Sequence, residues 1–147
     1  MKILVMGLPG SGKSTLSERL MLEIIKNRLV EWVNADELRE ETKDWDFSDE
    51  GRLRQAKRMT LIADAGVAND FVMIADFVCP RKEYRDGFDA DITIWMDTIK
   101  RSKYKDTNKI FQKPAIDEYT FRVTSFDDID QTVQNVADLV DILAEDD

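Results

Sequence analysis

The chain has 147 residues with 21 Lys and Arg against 30 Asp and Glu, a formal net charge of −9, and 43% hydrophobic residues. That is enough apolar material for one sizeable core, and the length fits one domain over residues 1–147, so a disordered or collagen-like chain is excluded. With no His and a lone Cys79, the sequence excludes a His base, an intrachain disulfide and a zinc-ligand cluster, and its negative charge speaks against nucleic acid and anionic membranes as partners.

Lys2 to Met6 (KILVM) is a short continuous apolar run that suits a strand covered on both faces. It leads straight into a glycine-rich motif rather than a cleavable signal, and no apolar run approaches the ~18 residues of a membrane span, which predicts a cytoplasmic protein. From Lys13 the pattern turns helical. Leu16, Leu20 and Ile24, then Leu22, Ile25 and Leu29, give a broad apolar face that ends near Asn27 to Leu29. Val30 to Val33 is a second strand and Ala35 to Thr42 a short helix. Ser48 is an N-cap, with Asp49 and Glu50 in the first turn of a longer helix ending near Gly66 to Asp70.

Phe71 to Val78 and Ile92 to Met96 read as central strands, and Tyr119 to Val123 as a last one. A basic segment lies between Thr98 and Pro114, with six Lys or Arg against the single acidic Asp106. Ile129, Val133, Val136, Val140 and Leu143 share one face of a closing helix capped by Asp127 or Asp128. Trp32, Trp45 and Trp95 read as packing residues. Strands separated by helices along the whole chain predict a three-layer α/β domain with a parallel sheet.

Gly7-Leu8-Pro9-Gly10-Ser11-Gly12-Lys13-Ser14 matches G-x-x-x-x-G-K-[ST] in full, after a strand and before a helix. This is the phosphate cradle of the P-loop NTPase fold. Its backbone N–H groups converge on an anion, the helix N-terminus adds its dipole, Lys13 reaches the β and γ oxygens, and Ser14 can ligate Mg²⁺. Thr15 completes the ATP-binding run. Downstream, Asp36 and Arg39 stand three residues apart at the start of a short helix. A carboxylate there can orient and deprotonate an acceptor hydroxyl or hold Mg²⁺, and the guanidinium can grip acceptor phosphate; the plain alternative is a helix N-terminal Asp with a solvated Arg. Small size favours a phosphotransferase over an ATPase that couples hydrolysis to motion.

These residues resemble the adenylylsulfate kinase family through GLPGSGKST, then NADELR, then Phe47 to Gln55 (FSDEGRLRQ), then Phe77 to Asp86 (FVCPRKEYRD). The resemblance implies a P-loop kinase with a five-stranded parallel sheet and a short basic lid. It would move the γ-phosphate of ATP, with Mg²⁺, to the 3′-hydroxyl of adenylyl sulfate, a step of sulfate assimilation. It implies Asp36 as the carboxylate acting on the 3′-hydroxyl, Arg39 and Arg52 on the phosphosulfate, Phe47 stacked on the acceptor adenine, and Gln55, Val78 and Cys79 as further acceptor contacts. Small-molecule substrates are the implied partners. Dimers are common in that family, and Phe121 to Ile142 offers apolar surface for a homodimer, although core burial accounts for it equally well.

Several positions depart from the family. Where it has an acidic residue, Gly, Asp and Asn, this chain has Asn34-Ala35-Asp36-Glu37, so one carboxylate is lost. Asp76, at the end of the third strand, looks like the strand-end carboxylate that other cradle enzymes use for Mg²⁺, or else is a hydrogen-bonded structural group. Gln55 stands for an Asn and Cys79 for a Ser; the Cys79 thiol is either perturbed by Arg81 and Lys82 or a small buried filler. In the lid, Lys109 is the preferred cation for the phosphoryl group in transit and Arg101 the next, with the run otherwise a solvated face. Phe111 could touch the adenine of either nucleotide. A kinase of another hydroxyl (a nucleoside, a sugar acid, a polynucleotide 5′ end) and a non-catalytic nucleotide-binding module are the competing readings.

Overall fold

A computed structural model describes residues 1–145. Its five strands, β1 (Lys2–Gly7), β2 (Val30–Asn34), β3 (Val72–Asp76), β4 (Ile92–Met96) and β5 (Phe121–Val123), form one sheet in the order β2-β3-β1-β4-β5. Every neighbouring pair is parallel. Six α-helices connect and cover them: α1 (Lys13–Ile24), α2 (Ala35–Thr42), α3 (Asp49–Ala68), α4 (Lys82–Phe88), α5 (Lys105–Ile110) and α6 (Ile129–Glu145).

The continuous apolar run of β1 is explained by burial on two sides. Ile3 and Val5 enter one core with Leu16, Leu20 and Ile24 of α1 and Val133, Val136 and Val140 of α6. Leu4 and Met6 enter the other with Ala56, Met59 and Ala63 of α3 and Tyr84 and Phe88 of α4. Successive side chains of a strand point to opposite faces, so one run feeds both layers. The apolar residues of α6 lie in the first core, which accounts for most of the apolar surface between Phe121 and Ile142; Ile142 itself is exposed. No helix of the described residues is long and apolar enough to cross a membrane.

Several boundaries differ from the sequence expectation. Helix α1 stops at Ile24, and Leu22, Ile25 and Leu29 are exposed. Leu22 sits about 240° around the helix from Leu16, so only the Leu16, Leu20, Ile24 stripe meets the sheet. Strand β3 is confined to Val72–Asp76, because the chain leaves the sheet after Asp76 and turns through Cys79 at φ +48°. Among the described residues no hydrogen bond to an Asp127 or Asp128 side chain caps α6, the role expected of one of them. They lie in a 3₁₀ turn (Phe126–Asp128) that precedes α6, and Ser125 caps that turn by accepting from Asp127 N–H. Trp45 is not a core residue: it is exposed, its ring 6.4 Å from that of Phe47. Ser48 does cap α3, accepting from Gly51 N–H at 3.2 Å.

Candidate active site

The sheet order sets β1 between β3 and β4, so the loop leaving β1 emerges at the centre of one sheet edge. Gly7 has no room for a side chain, since a Cβ there would lie 2.6 Å from the Met96 carbonyl oxygen. The loop closes on itself through Ser11 N–H donating to Leu8 O, and the segment after β4 braces it through Thr98 Oγ1 donating to Ser11 O at 2.7 Å. Gly10 and Gly12 take φ of +85° and +96°, the left-handed region that glycine occupies at little cost. Gly10 is exposed and Pro9 half-buried, and Ser14 and Thr15 are exposed at the start of α1. The geometry is that of an anion cradle feeding a helix N-terminus.

Lys13 folds back over this loop, donating to Leu8 O at 3.0 Å. Burial lowers its ammonium from the usual lysine range, while the carboxylates of Asp76 and Asp36 oppose that shift. Asp76 is 2% exposed. Its carboxyl is pushed up by burial, against the pull of Lys13 and hydrogen bonds from Asn34 and Ser14. Ser14 Oγ donates to Asp76 Oδ2 at 3.1 Å, and Asn34 Nδ2 donates to the same oxygen at 3.0 Å. Asn34 also caps α2, its Oδ1 accepting from Glu37 N–H.

The described residues contain no group of three or more His, Cys, Asp or Glu able to cage a metal. The donors beside the cradle are instead one hydroxyl and one carboxylate, hard oxygen ligands. They fit Mg²⁺, which keeps waters and takes its remaining ligands from nucleotide phosphate. Ser14 and Asp76 would hold such an ion.

Across from the cradle, α2 and α3 build a second set. Asp36 is exposed in the first turn of α2, and its charge acts on both Lys13 and Arg39. Arg39, only 5% exposed, is fastened by Nη1 to the carbonyls of Asp44 and Asp46 at 3.0 and 3.2 Å. Burial lowers its guanidinium from the usual range, yet arginine remains charged in proteins. The Phe47 ring, 50% exposed, has two guanidiniums beside it, with Arg39 Cζ 4.3 Å and Arg52 Cζ 5.3 Å from its centroid. Arg52 Nε donates to Phe47 O at 2.9 Å. A half-exposed aromatic ring beside two cations is a platform for a flat, anionic ligand. Gln55, on α3, is buried, its amide donating to Ala35 O at 2.9 Å.

Of the remaining sequence candidates, Val78 is partly buried in the loop after β3. Cys79 is 1% exposed, and burial drives its thiol well above the ordinary range, so it is a protonated filler rather than a reactive thiol. Arg81 and Lys82 are paired cations, with Asp49 on Arg81 and Asp86 on Lys82. In the basic segment, Arg101 and Lys109 are exposed, Lys109 on α5. Phe111 packs against the second core and lines a cleft with Leu8, Trp95, Ile99 and Asn108, between cradle and lid.

Sequence reasoning missed three residues here. Thr107, on α5, accepts from Arg52 Nη2 at 3.2 Å and so joins the lid to the acceptor platform. Phe126 presses on the cradle, its ring 2.9 Å from where a Gly12 Cβ would sit. Arg85 anchors the lid from α4, donating to the carbonyls of Cys79, Pro80 and Gln112. Only Arg85 left a signal, since Tyr84, Arg85 and Phe88 fall at helical spacing.

Comparison with known proteins agrees with this geometry. The chain is 38% identical over 81 residues to a probable adenylyl-sulfate kinase of Aeropyrum pernix, a match that covers 54% of this chain and 44% of that protein. The chain thus matches less than half the length of that relative. The fold superposes on Mycobacterium tuberculosis APS kinase CysC, solved in complex with AMPPNP and APS, at a TM-score of 0.77 with 19% identity, over 95% of this chain and 96% of that one. It also superposes on an unliganded sugar kinase from Janibacter sp. HTCC2649, at a TM-score of 0.70 with 18% identity, covering 96% and 94%. Both superpositions identify a P-loop kinase fold, which by itself does not choose an acceptor. The family model for adenylylsulphate kinase matches residues 1–128, and the chain belongs to that family.

Proposed function

We propose that the protein transfers the γ-phosphate of ATP to the 3′-hydroxyl of adenylyl sulfate. The observation that carries this reading is the half-exposed Phe47 ring beside Arg39 and Arg52, with Asp36 near enough for its charge to act on both Lys13 and Arg39. A flat adenine carrying a phosphosulfate offers one face for the ring and two anionic groups for the guanidiniums.

In this reading residues Gly7 to Thr15 hold the phosphates of ATP, and Lys13 neutralises charge on the oxygens of the γ-phosphoryl group. Mg²⁺, held by Ser14 and Asp76, would supply further charge neutralisation on the phosphates. Asp36 orients the acceptor 3′-hydroxyl and takes its proton. The bond from O3′ to the γ-phosphorus forms as the bond to the β–γ bridging oxygen breaks, and ADP leaves. Arg101 and Lys109 come from the lid to the transferring group and help to exclude water. Arg39, Phe47 and Arg52, with Gln55, Val78 and Cys79 behind them, hold the acceptor.

The test is ADP release from ATP and Mg²⁺ with adenylyl sulfate as acceptor, beside AMP, a nucleoside, a sugar acid and a 5′-hydroxyl oligonucleotide. Turnover is expected with adenylyl sulfate. Turnover with another acceptor and none with adenylyl sulfate would replace this reading by a kinase of that hydroxyl. Lys13→Ala should abolish transfer, and Asp36→Asn should lower kcat by at least ~10²-fold, the usual worth of a positioned base. A nearly silent Asp36→Asn beside a crippling Asp76→Asn would reverse the roles given to these carboxylates.

A further inference from the structure

Asn34 makes more contacts than a helix cap needs. Strands β2 and β3 are neighbours, and their register sets Asn34 opposite Asp76 at the strand ends. Three polar atoms then close a triangle. Asn34 Nδ2 lies 3.0 Å from Asp76 Oδ2 and 3.2 Å from Ser14 Oγ, and Ser14 Oγ lies 3.1 Å from the same Oδ2. The far end of the amide is committed, because Asn34 Oδ1 accepts from Glu37 N–H at 3.0 Å in the first turn of α2. Turning the amide over would lose that cap and set oxygen against oxygen. The cap therefore dictates that the donor end faces the carboxylate.

We propose that Asn34 is a positioning residue for the phosphate site, and that Asn34 and Asp76 form a unit that holds one carboxylate against Ser14, a charge that can sit on either strand end. The proposal rests on the kinase reading, since it concerns the group that would take Mg²⁺. Asp and Asn have the same shape, and the two positions are register partners that share contacts. When Asn34→Asp is combined with Asp76→Asn, the carboxylate moves to the end of β2, where it still accepts from Glu37 N–H and presents its other oxygen to Ser14. The amide now at the end of β3 donates to that oxygen and to Ser14 Oγ, so the same contacts form with the direction of all three triangle bonds reversed. A second carboxylate is a different matter. Asn34→Asp alone would set two anionic oxygens at the present 3.0 Å contact, where both cannot stay charged without a cation between them.

The experiment measures ADP binding by calorimetry with and without Mg²⁺, together with ligand-free melting, for the wild type, Asn34→Asp, Asp76→Asn and the exchanged pair. Binding without Mg²⁺ reads the cradle alone. The gain on adding Mg²⁺ reads the carboxylate unit, and a cap with no further role would not move it. Asp76→Asn should cut that gain by at least ~10-fold, and the exchanged pair should recover it to within about three-fold. Asn34→Asp should melt below the wild type without Mg²⁺ and regain the loss when Mg²⁺ and ADP are added. An exchanged pair that folds yet stays at the level of Asp76→Asn overturns the proposal while leaving the kinase reading intact. If the exchanged pair does not fold, an Asn34→Asp protein that melts like the wild type without Mg²⁺ overturns it instead. A wild type that takes up no ADP in either condition overturns the kinase reading, and this proposal with it.

Discussion

At Gly12 the backbone stands at φ +96°, and a Cβ would lie 2.9 Å from the Phe126 ring and 3.5 Å from Met96 Cε. Left-handed backbone costs an ordinary residue about 1–2 kcal/mol, and the ring contact adds to it. Gly12→Ala should therefore weaken ADP binding at least ~10-fold by calorimetry while the protein still unfolds cooperatively, because the strain falls on the cradle and not on the core. The glycine was legible from its motif, but its neighbour was not. Phe126 sits in a run that reads as a helix lead-in, and nothing local announces that its ring will reach a loop more than a hundred residues earlier. Asn34 shows the same limit from another side. As a letter it reads as a lost carboxylate; in place, its amide donates to Asp76 and Ser14 while its carbonyl caps α2.

Helices α4 and α5 carry the lid and its anchor, and neither was anticipated. Both are short, at seven and six residues, so periodicity has little length over which to act. What holds them is contact rather than propensity. Arg85 on α4 is buried, ties the loop after β3 to Gln112 at the end of the lid, lies over the Phe111 ring at 5.5 Å, and faces Glu118 at 3.8 Å. Arg85→Met keeps much of the volume but strands those carbonyls and Glu118. It should cost about 3 kcal/mol by urea unfolding, the scale of losing one partner of a buried charged network. It should also raise proteolytic cleavage between residues 100 and 114, where the lid loses its tether. Loss of stability without faster cleavage there would make Arg85 a core residue only. On the other side, Thr107 joins α5 to Arg52, so the lid is held at both the acceptor platform and the anchor.

Over the whole molecule, the net charge of −9 hides two populations of cations. Arg19, Arg28, Arg54, Arg58, Arg81, Lys82 and Arg122 are matched to carboxylates. Lys13, Arg39, Arg52 and the six Lys and Arg of residues 100–113 form no ion pair among the described residues. Unpaired cations gathered on an acidic body favour small anions and disfavour long ones, whose outer charges would meet the acidic surface. A fluorescent single-stranded oligonucleotide should accordingly show no change of anisotropy with the protein at about 150 mM salt, under conditions where ADP binds. The sequence by itself determined the cradle, because a phosphate loop is built from consecutive residues whose identities dictate their own backbone, and it determined the strands that local apolar runs mark. Only the tertiary structure decided what surrounds that cradle. The order β2-β3-β1-β4-β5 brings Asp76 to Ser14 across 62 residues, Asn34 to Asp76 across 42, and Thr107 to Arg52 across 55. Which strand end lies beside which is settled by the packing of both cores at once, and no local stretch of sequence carries that information.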